Sequence, residues 1–136
     1  MLDKRNVALY IRVAHKDDDA AAAQESMLRK YAEDNGYQDV AAYVDNGVSG
    51  IGFDRPALNR LQNDIETGLV KRVIVKDISR ISRSFLEVPG WFNGIRRYLV
   101  SFTSIMDGMN EETFEQKDVL FRLLLEHQNK EETATK

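Results

Sequence analysis

The sequence NVALYIRV, residues 6–13, is the strongest indication of the fold. It is a run of apolar and β-branched residues, interrupted only by Arg12, and this composition is typical of a buried strand. Similar strands are predicted at residues 40–44, 70–75 and 100–106. Helical patterns separate them, and an alternation of strands and helices favours an α/β domain with a mostly parallel sheet flanked by helices.

The predicted helices begin and end at ordinary helix signals. A first helix is predicted over 20–35, where Asn35-Gly36 is a stop, and a second from Pro56 to about Gly68. The segment 45–54 between them, DNGVSGIGFD, has the composition of a loop. Residues 85–98 are expected to be helical in part, broken or kinked at Pro89 and Gly90, and a final helix is expected after Asn110.

Length, composition and charge exclude several classes of protein. The chain has 136 residues, of which 43% are apolar and 30% charged, as in a single globular domain. It has no cysteine and two distant histidines, His15 and His127, so we expect neither disulfides nor a metal site. Neither a membrane-spanning run nor a signal peptide is visible, which predicts a cytoplasmic protein. Because the net charge is −3, any contact with DNA needs a local basic cluster or another domain.

Arginines gather where the predicted parallel strands end, and function collects at that edge of such sheets. Arg12 lies near the end of the first strand, and Arg80 and Arg83 follow the third in KDISRISRS. These arginines can also be explained without a function. Arg12 could form a buried salt bridge or extend its charged end to the solvent, and Arg80 and Arg83 could belong to a solvated basic turn. Arg55, before Pro56, lies near a helix N-terminus, where anions are favoured, or pairs with Asp54.

Taken together, the four arginines predict a phosphodiester site. Guanidinium groups match phosphate oxygens through paired hydrogen bonds. An acidic chain has no charge-balance reason to collect cations at one edge, and an arginine cluster stabilises the charge of a phosphoryl-transfer transition state without a metal.

Several ordered blocks of the sequence resemble the serine recombinases, the DNA resolvases, invertases and large transposon recombinases. The resemblance extends from Val7 to about Asp107, and it is specific because the blocks occur in order. The blocks are YIRVA at 10–14, VSG at 48–50, FDRPAL at 53–58 and VKDISRISRS at 75–84.

The resemblance implies a resolvase-like fold and a chemistry. A serine at the end of the first strand attacks a DNA phosphodiester, forms a 5′-phosphoserine link and is released in the reverse transfer, with no metal or other cofactor. Arg12, Arg80 and Arg83 would bind and activate the scissile phosphate, with help from Arg55. Gln24 would support the site, and Ser49 lies in a loop whose sequence matches a DNA-binding part of the family.

The chain departs from the family at the nucleophile, because Ala14 occupies the position of the serine. A methyl group cannot attack phosphorus, so the covalent mechanism is impossible as the sequence stands. Either Ala14 was introduced into an active enzyme, or the natural protein has lost its nucleophile. Retention of the four arginines slightly favours a recent loss or an introduced change, since buried cations that no longer serve a function should drift.

The resemblance also predicts a domain layout and partners. Residues 1–110 would form the catalytic-type domain, and residues 111–136 the truncated start of a long C-terminal dimerisation helix. DNA would be the substrate, with a homodimer that becomes a tetramer in the synaptic complex. A C-terminal DNA-binding domain is expected to be missing, so the chain alone should bind DNA weakly.

Two other functions are compatible with parts of the sequence. A phosphoacceptor receiver domain shares the alternating architecture, and residues 17–19 and Asp77 could imitate its acidic pocket. Arg12 at the end of the first strand and the lack of a lysine soon after Met106 argue against it. A non-enzymatic assembly module would use the C-terminal helix to dimerise and the arginines only to hold DNA.

Overall fold

The computed structural model describes residues 7–48, 55–81 and 88–108. These residues form four strands, three α-helices and one short 3₁₀ turn. In chain order they are β1 Val7–Val13, α1 Asp18–Asp34, β2 Val40–Asn46, α2 Pro56–Glu66, β3 Arg72–Val75, the 3₁₀ turn Ile78–Arg80, α3 Val88–Arg96 and β4 Ser101–Ser104. The predicted alternation of strands and helices is therefore confirmed.

The four strands form one parallel sheet in the order β2-β1-β3-β4. β1 lies between β2 and β3, with Val7 opposite Val40 on one side and opposite Arg72 on the other. Since all pairs are parallel, the carboxyl ends of the strands meet at one edge, which we call the carboxyl edge. This edge holds the candidate site.

The central strand β1 is buried on both faces, as its composition predicts. Ala8 and Tyr10 face a core that contains the apolar side of α2 and Ile95 of α3. Leu9 and Ile11 face a second core, formed with α1. A side chain of this size contributes roughly 1.5–3 kcal/mol when it is fully buried, so the two cores fix β1 from both sides.

One prediction about an element boundary is wrong in detail. β2 runs through Asp45 and Asn46, which were expected in the loop, because both pair in register with the end of β1. Pro89 and Gly90 lie within α3, and the part of the segment 85–98 that precedes Val88 lies outside the described residues.

Some predictions fall outside the described residues. These are the final helix expected after Asn110, and with it the division into residues 1–110 and 111–136. Within residues 7–48, 55–81 and 88–108, no helix combines the length and apolar character needed to cross a membrane.

Candidate functional site

Arg12 is the buried centre of the carboxyl edge. The residue is 0% exposed. Its backbone N–H donates to Oε1 of Gln24 at 3.2 Å, and Nε2 of Gln24 donates to its carbonyl at 3.3 Å. β3 pairs with β1 only as far as Tyr10, and beyond that point the amide of Gln24 bonds both backbone groups of Arg12.

The guanidinium group of Arg12 binds backbone carbonyls. Nε donates to the carbonyl of Arg80 at 3.1 Å, and the terminal nitrogens donate to those of Ser79 at 2.7 Å and Val48 at 3.2 Å. These contacts of Arg12 are to backbone carbonyls, and its burial excludes snorkelling. A buried cation needs such bonds, because an unpaired one would cost several kcal/mol.

The side chain of Arg80 in turn binds the backbone of Arg12. One of its terminal nitrogens donates to the carbonyl of Arg12 at 3.0 Å, and the other lies 3.3 Å from the carboxylate of Asp77. Its side chain is 21% exposed. Arg80 is thus the most open of the three described arginines at this edge, since Arg12 and Arg55 are buried.

Arg55, at the start of α2, also binds the backbone of the 3₁₀ turn Ile78–Arg80. Its terminal nitrogens donate to the carbonyls of Ile81 and Arg80 and to the hydroxyl of Tyr10, the last at 3.0 Å. The guanidinium carbon also lies 5.6 Å from the centre of the Tyr10 ring, within the range of a cation–π contact. Asp54, its expected partner, lies outside the described residues.

Asp45 occupies the N-terminus of α2 that was expected to favour an external anion. Its carboxylate accepts from the backbone N–H groups of Ala57 at 2.8 Å and Leu58 at 3.1 Å, and from the hydroxyl of Tyr10 at 2.7 Å. A side-chain carboxylate therefore already satisfies these helix N–H groups. A carboxylate of the protein itself therefore occupies the N-terminus of α2.

Sequence reasoning missed Tyr10 and Asp45, although both carry a signal. A tyrosine inside a fully buried strand needs a partner for its hydroxyl, and an aspartate in the next strand is a natural acceptor. Burial, and then the hydrogen bond to Asp45, raise the pKa of Tyr10 above that of a free tyrosine. Tyr10 therefore stays protonated and keeps its donor at neutral pH.

Ala14 follows β1 directly and is partly buried, while the next residue, His15, is exposed. The turn that carries Ala14 is held against the end of β2. The carbonyl of Val13 accepts from the N–H groups of Gly47 at 2.7 Å and Val48 at 2.9 Å. The backbone at the nucleophile position is thus fixed beside Arg12.

Replacing Gly47 by alanine should loosen this turn. Gly47 has φ +90°, and an added Cβ would lie 3.2 Å from Cβ of Lys16, so the variant meets both backbone strain and a tight contact. We expect a loss of about 1–3 kcal/mol in the free energy of unfolding, measured in urea. Gly36→Ala is the matched control, because Gly36 has φ +74° with nothing within 4 Å. Equal losses in the two variants would show that the contact with Lys16 is unimportant.

The structure brings together most of the candidate residues. Arg12, Arg55, Arg80 and Gln24 meet at the carboxyl edge beside Ala14, whereas Arg83 and Ser49 lie outside the described residues. The three described guanidinium groups lie there together with the carboxylates of Asp45, Asp77 and Asp107, the last of which accepts from the backbone N–H of Ile78 at 2.8 Å.

The receiver hypothesis finds no support. Asp17 caps α1 through the N–H of Ala20, Asp18 binds the side chain of Asn46, and Asp77 binds Ser79 and Arg80. In the described part of the chain, no group of three or more metal-binding side chains could hold an ion such as magnesium.

The chain also matches the model of a known protein family. Residues 7–135 match the family model described as the resolvase N-terminal domain. The chain therefore belongs to the resolvase N-terminal domain family, whose relatives are serine recombinases.

Two solved structures have a similar fold, and one relative is similar in sequence. The N-terminal catalytic domain of TP901-1 integrase is 28% identical, with a TM-score of 0.75 over 96% of this chain and 98% of that one. A resolvase family site-specific recombinase from Streptococcus pneumoniae is 25% identical, with a TM-score of 0.71 over 96% and 90%. A Bacillus subtilis (strain 168) protein named "Putative DNA recombinase" is 36% identical over 81 residues, which are 59% of this chain and 16% of that protein.

Proposed function

We propose that this domain binds a DNA phosphodiester at its carboxyl edge as the catalytic-type domain of a serine recombinase, and that Ala14 leaves it without a nucleophile. One observation carries the proposal. Arg80, partly exposed, lies beside the backbone of Arg12, two residues from Ala14, so a cation faces the position from which the family's serine would attack. Arg12, Arg55 and Gln24 complete the described site, and Arg83 and Ser49 join it by resemblance.

The family's reaction has two parts, the binding of the phosphate and the covalent step, and only the covalent step needs the hydroxyl that this chain lacks. Binding and polarising the phosphate require cations, which this chain keeps. The covalent step requires an oxygen at residue 14, which this chain lacks. As it stands, the protein holds a recombination site without cutting it.

Such a subunit would act through assembly, on DNA in the cytoplasm. Family membership supports DNA binding and oligomerisation as the general activities. A homodimer, a tetramer in a synaptic complex and a separate DNA-binding domain are part of the proposal. An inert subunit placed among active ones would block or regulate strand exchange.

A titration of the full 136-residue chain with a short mixed-sequence DNA duplex tests the binding surface. At low salt we expect weak binding, with a Kd of roughly 10⁻⁴ to 10⁻⁶ M, because nonspecific affinity is electrostatic. The backbone NMR signals that move should be those of residues 12–16, 47–48 and 77–81.

Arg80→Gln should weaken this binding severalfold, and Arg29→Gln is the matched control. Arg29 lies on α1 in an exposed pair with Glu25 at 2.7 Å, away from the carboxyl edge. Equal effects of the two substitutions, or shifts spread over the whole surface, would contradict the proposed site.

A further inference from the structure

We propose that this domain associates with a second copy of itself through the edge of the sheet at which the strands begin, which we call the amino edge. Leu99 of each copy would be seated in a groove of the other. The amino edge lies opposite the carboxyl edge, so this contact uses none of the residues of the proposed DNA site and does not depend on the proposed function. An exposed apolar group and an open groove on the same edge carry the inference.

Leu99 is held in a backbone conformation that leucine disfavours. It comes shortly after α3, where its N–H donates to the carbonyl of Arg96 at 3.1 Å, and it has φ +57°. Glycine is the usual residue with positive φ after a helix, because it adopts this conformation without steric strain. The chain has glycine at such positions after α1 and α2, with Gly36 at φ +74° and Gly68 at φ +84°. A leucine after α3 therefore needs a reason other than the backbone.

The core gives no reason for this leucine, because the side chain of Leu99 is 86% exposed. Tyr98, directly before it, is 38% exposed, and Leu69 is 58% exposed. β3 and β4 pair with Arg72 opposite Ser101, so Leu69 and Leu99 come from neighbouring loops at the starts of these strands. Exposed apolar side chains that lie together mark interaction surfaces, whereas scattered ones do not. We call Leu69, Tyr98 and Leu99 the apolar knob.

The groove lies at the other end of the amino edge, between the C-terminus of α1 and the start of β2. It has a volume of about 430 Å³, and the residues that line it include Ala32, Tyr37 and Val40. The guanidinium carbon of Arg72 lies 4.4 Å from the centre of the Tyr37 ring, a cation–π contact that helps to fix the ring. A groove with aliphatic and fixed aromatic lining suits an apolar side chain such as that of Leu99.

The charges at the two ends of the amino edge are complementary. Two exposed cations, Arg97 and Lys71, lie within two residues of the apolar knob in sequence, against one exposed carboxylate close by, that of Glu66. The groove is lined by Arg29 and Glu33, and Arg29 already forms an ion pair within its own helix. The exposed carboxylate of Glu33 is therefore available to a cation of another molecule, and Arg97 is suitably placed next to the knob.

Two-fold symmetry allows one edge to supply both sides of the contact. Neighbouring strands lie about 4.8 Å apart, so the outer strands β2 and β4 are about 14 Å apart in the order β2-β1-β3-β4. The groove adjoins β2, and the apolar knob adjoins β3 and β4. A rotation of 180° about an axis between them brings the knob of each copy to the groove of the other. The partner that this edge fits is therefore a second copy of the chain.

Disulfide trapping tests the predicted pairing directly, because the natural chain has no cysteine. Leu99→Cys and Gln38→Cys place one thiol in the knob and one at the groove, which Gln38 lines. Mixing these two 136-residue variants under mild oxidation should give a linked dimer, since only the proposed contact brings the two thiols within disulfide distance. Ala22→Cys, at an exposed position in the first half of α1, is the control partner for Leu99→Cys. Equal yields with Gln38→Cys and Ala22→Cys would overturn the inference.

Sedimentation of the 136-residue chain tests the contact without cysteines. We expect the wild type to associate as its concentration is raised to about 1 mM, and Leu99→Gly to weaken this association on the order of tenfold or more. The same variant should keep or raise the urea midpoint, because glycine adopts φ +57° without strain, so the weaker association would not result from unfolding. A wild type that stays monomeric would overturn the inference and assign the edge to a different protein. Association that is unchanged in Leu99→Gly would overturn it too.

Charge reversal tests the predicted pair of Arg97 and Glu33. Arg97→Glu and Glu33→Arg should each weaken association, and the double variant should restore most of it, because the two opposite charges are then exchanged across the interface. Lys16→Glu makes the same charge change at an exposed position of the carboxyl edge and should have little effect. A double variant that associates no better than either single variant would overturn the proposed pairing. None of these experiments contains DNA, so their outcome is independent of the proposed function.

Discussion

Ala14→Ser in the full-length natural protein is expected to produce a covalent protein–DNA adduct where the wild type produces none. The substitution adds one oxygen at the end of β1, beside a backbone that Gln24 and Arg80 already hold. If the proposed function holds, a serine there would supply the nucleophile, and the arginine cluster would stabilise the charged transition state. The measurement is the retention of DNA on protein after denaturation in detergent, using a pool of genomic fragments from the source organism.

Two controls make the result specific. Arg80→Gln in the Ala14→Ser background should reduce adduct formation on the order of a hundredfold or more, as expected when a group that stabilises developing charge is removed. An active family member with its own DNA site is the positive control. If that enzyme forms an adduct and the Ala14→Ser protein forms none, the site lacks more than its nucleophile. An adduct with the wild type would reveal a different nucleophile.

Arg12→Met is expected to cost about 3–5 kcal/mol of the free energy of unfolding, the usual penalty for removing one partner from a buried charged contact. Methionine keeps much of the apolar stem but provides no donor, so the carbonyls of Val48, Ser79 and Arg80 lose a bond each. Since such domains are stable by only about 5–15 kcal/mol, the urea midpoint should fall by about 1 M or more.

Arg29→Met is the matched control for Arg12→Met. Arg29 pairs with Glu25 one helical turn away, and its side chain is 48% exposed, so its loss should cost about 0.5 kcal/mol or less. If the Arg12 variant unfolds at the same urea concentration as this control, water replaces the lost donors and Arg12 is not structural.

The architecture could be predicted from the sequence because its signals are local. The apolar run 6–13 and the alternation around it define a parallel sheet, and they also indicate where the strands end. Arg12, Arg55 and Arg80 could be assigned to one edge by topology alone, and the structure does bring them together.

The contacts of the arginines could not be predicted, because they are made with backbone carbonyls. Every residue has a backbone carbonyl, so the sequence gives no signal for which one is bound. Arg12 and Arg80 are 68 residues apart, and nothing in either segment shows that each binds the other's backbone. Asp45 was assigned to a loop because it begins the sequence Asp-Asn-Gly. Its actual role, which is to accept hydrogen bonds from Tyr10 and from the first turn of α2, follows from the pairing of β2 with β1 and from the position of α2.

The buried contacts of Arg12 also bear on how a protein of this kind could lose its activity. At residue 14, alanine in place of serine removes one oxygen from a partly exposed position. At residue 12, a comparable change removes hydrogen bonds to the carbonyls of Ser79 and Arg80. If Ala14 is natural, selection for a folded chain alone would therefore preserve Arg12 long after selection for strand cleavage had ceased. The presence of Arg12 beside Ala14 then gives no measure of the age of the loss.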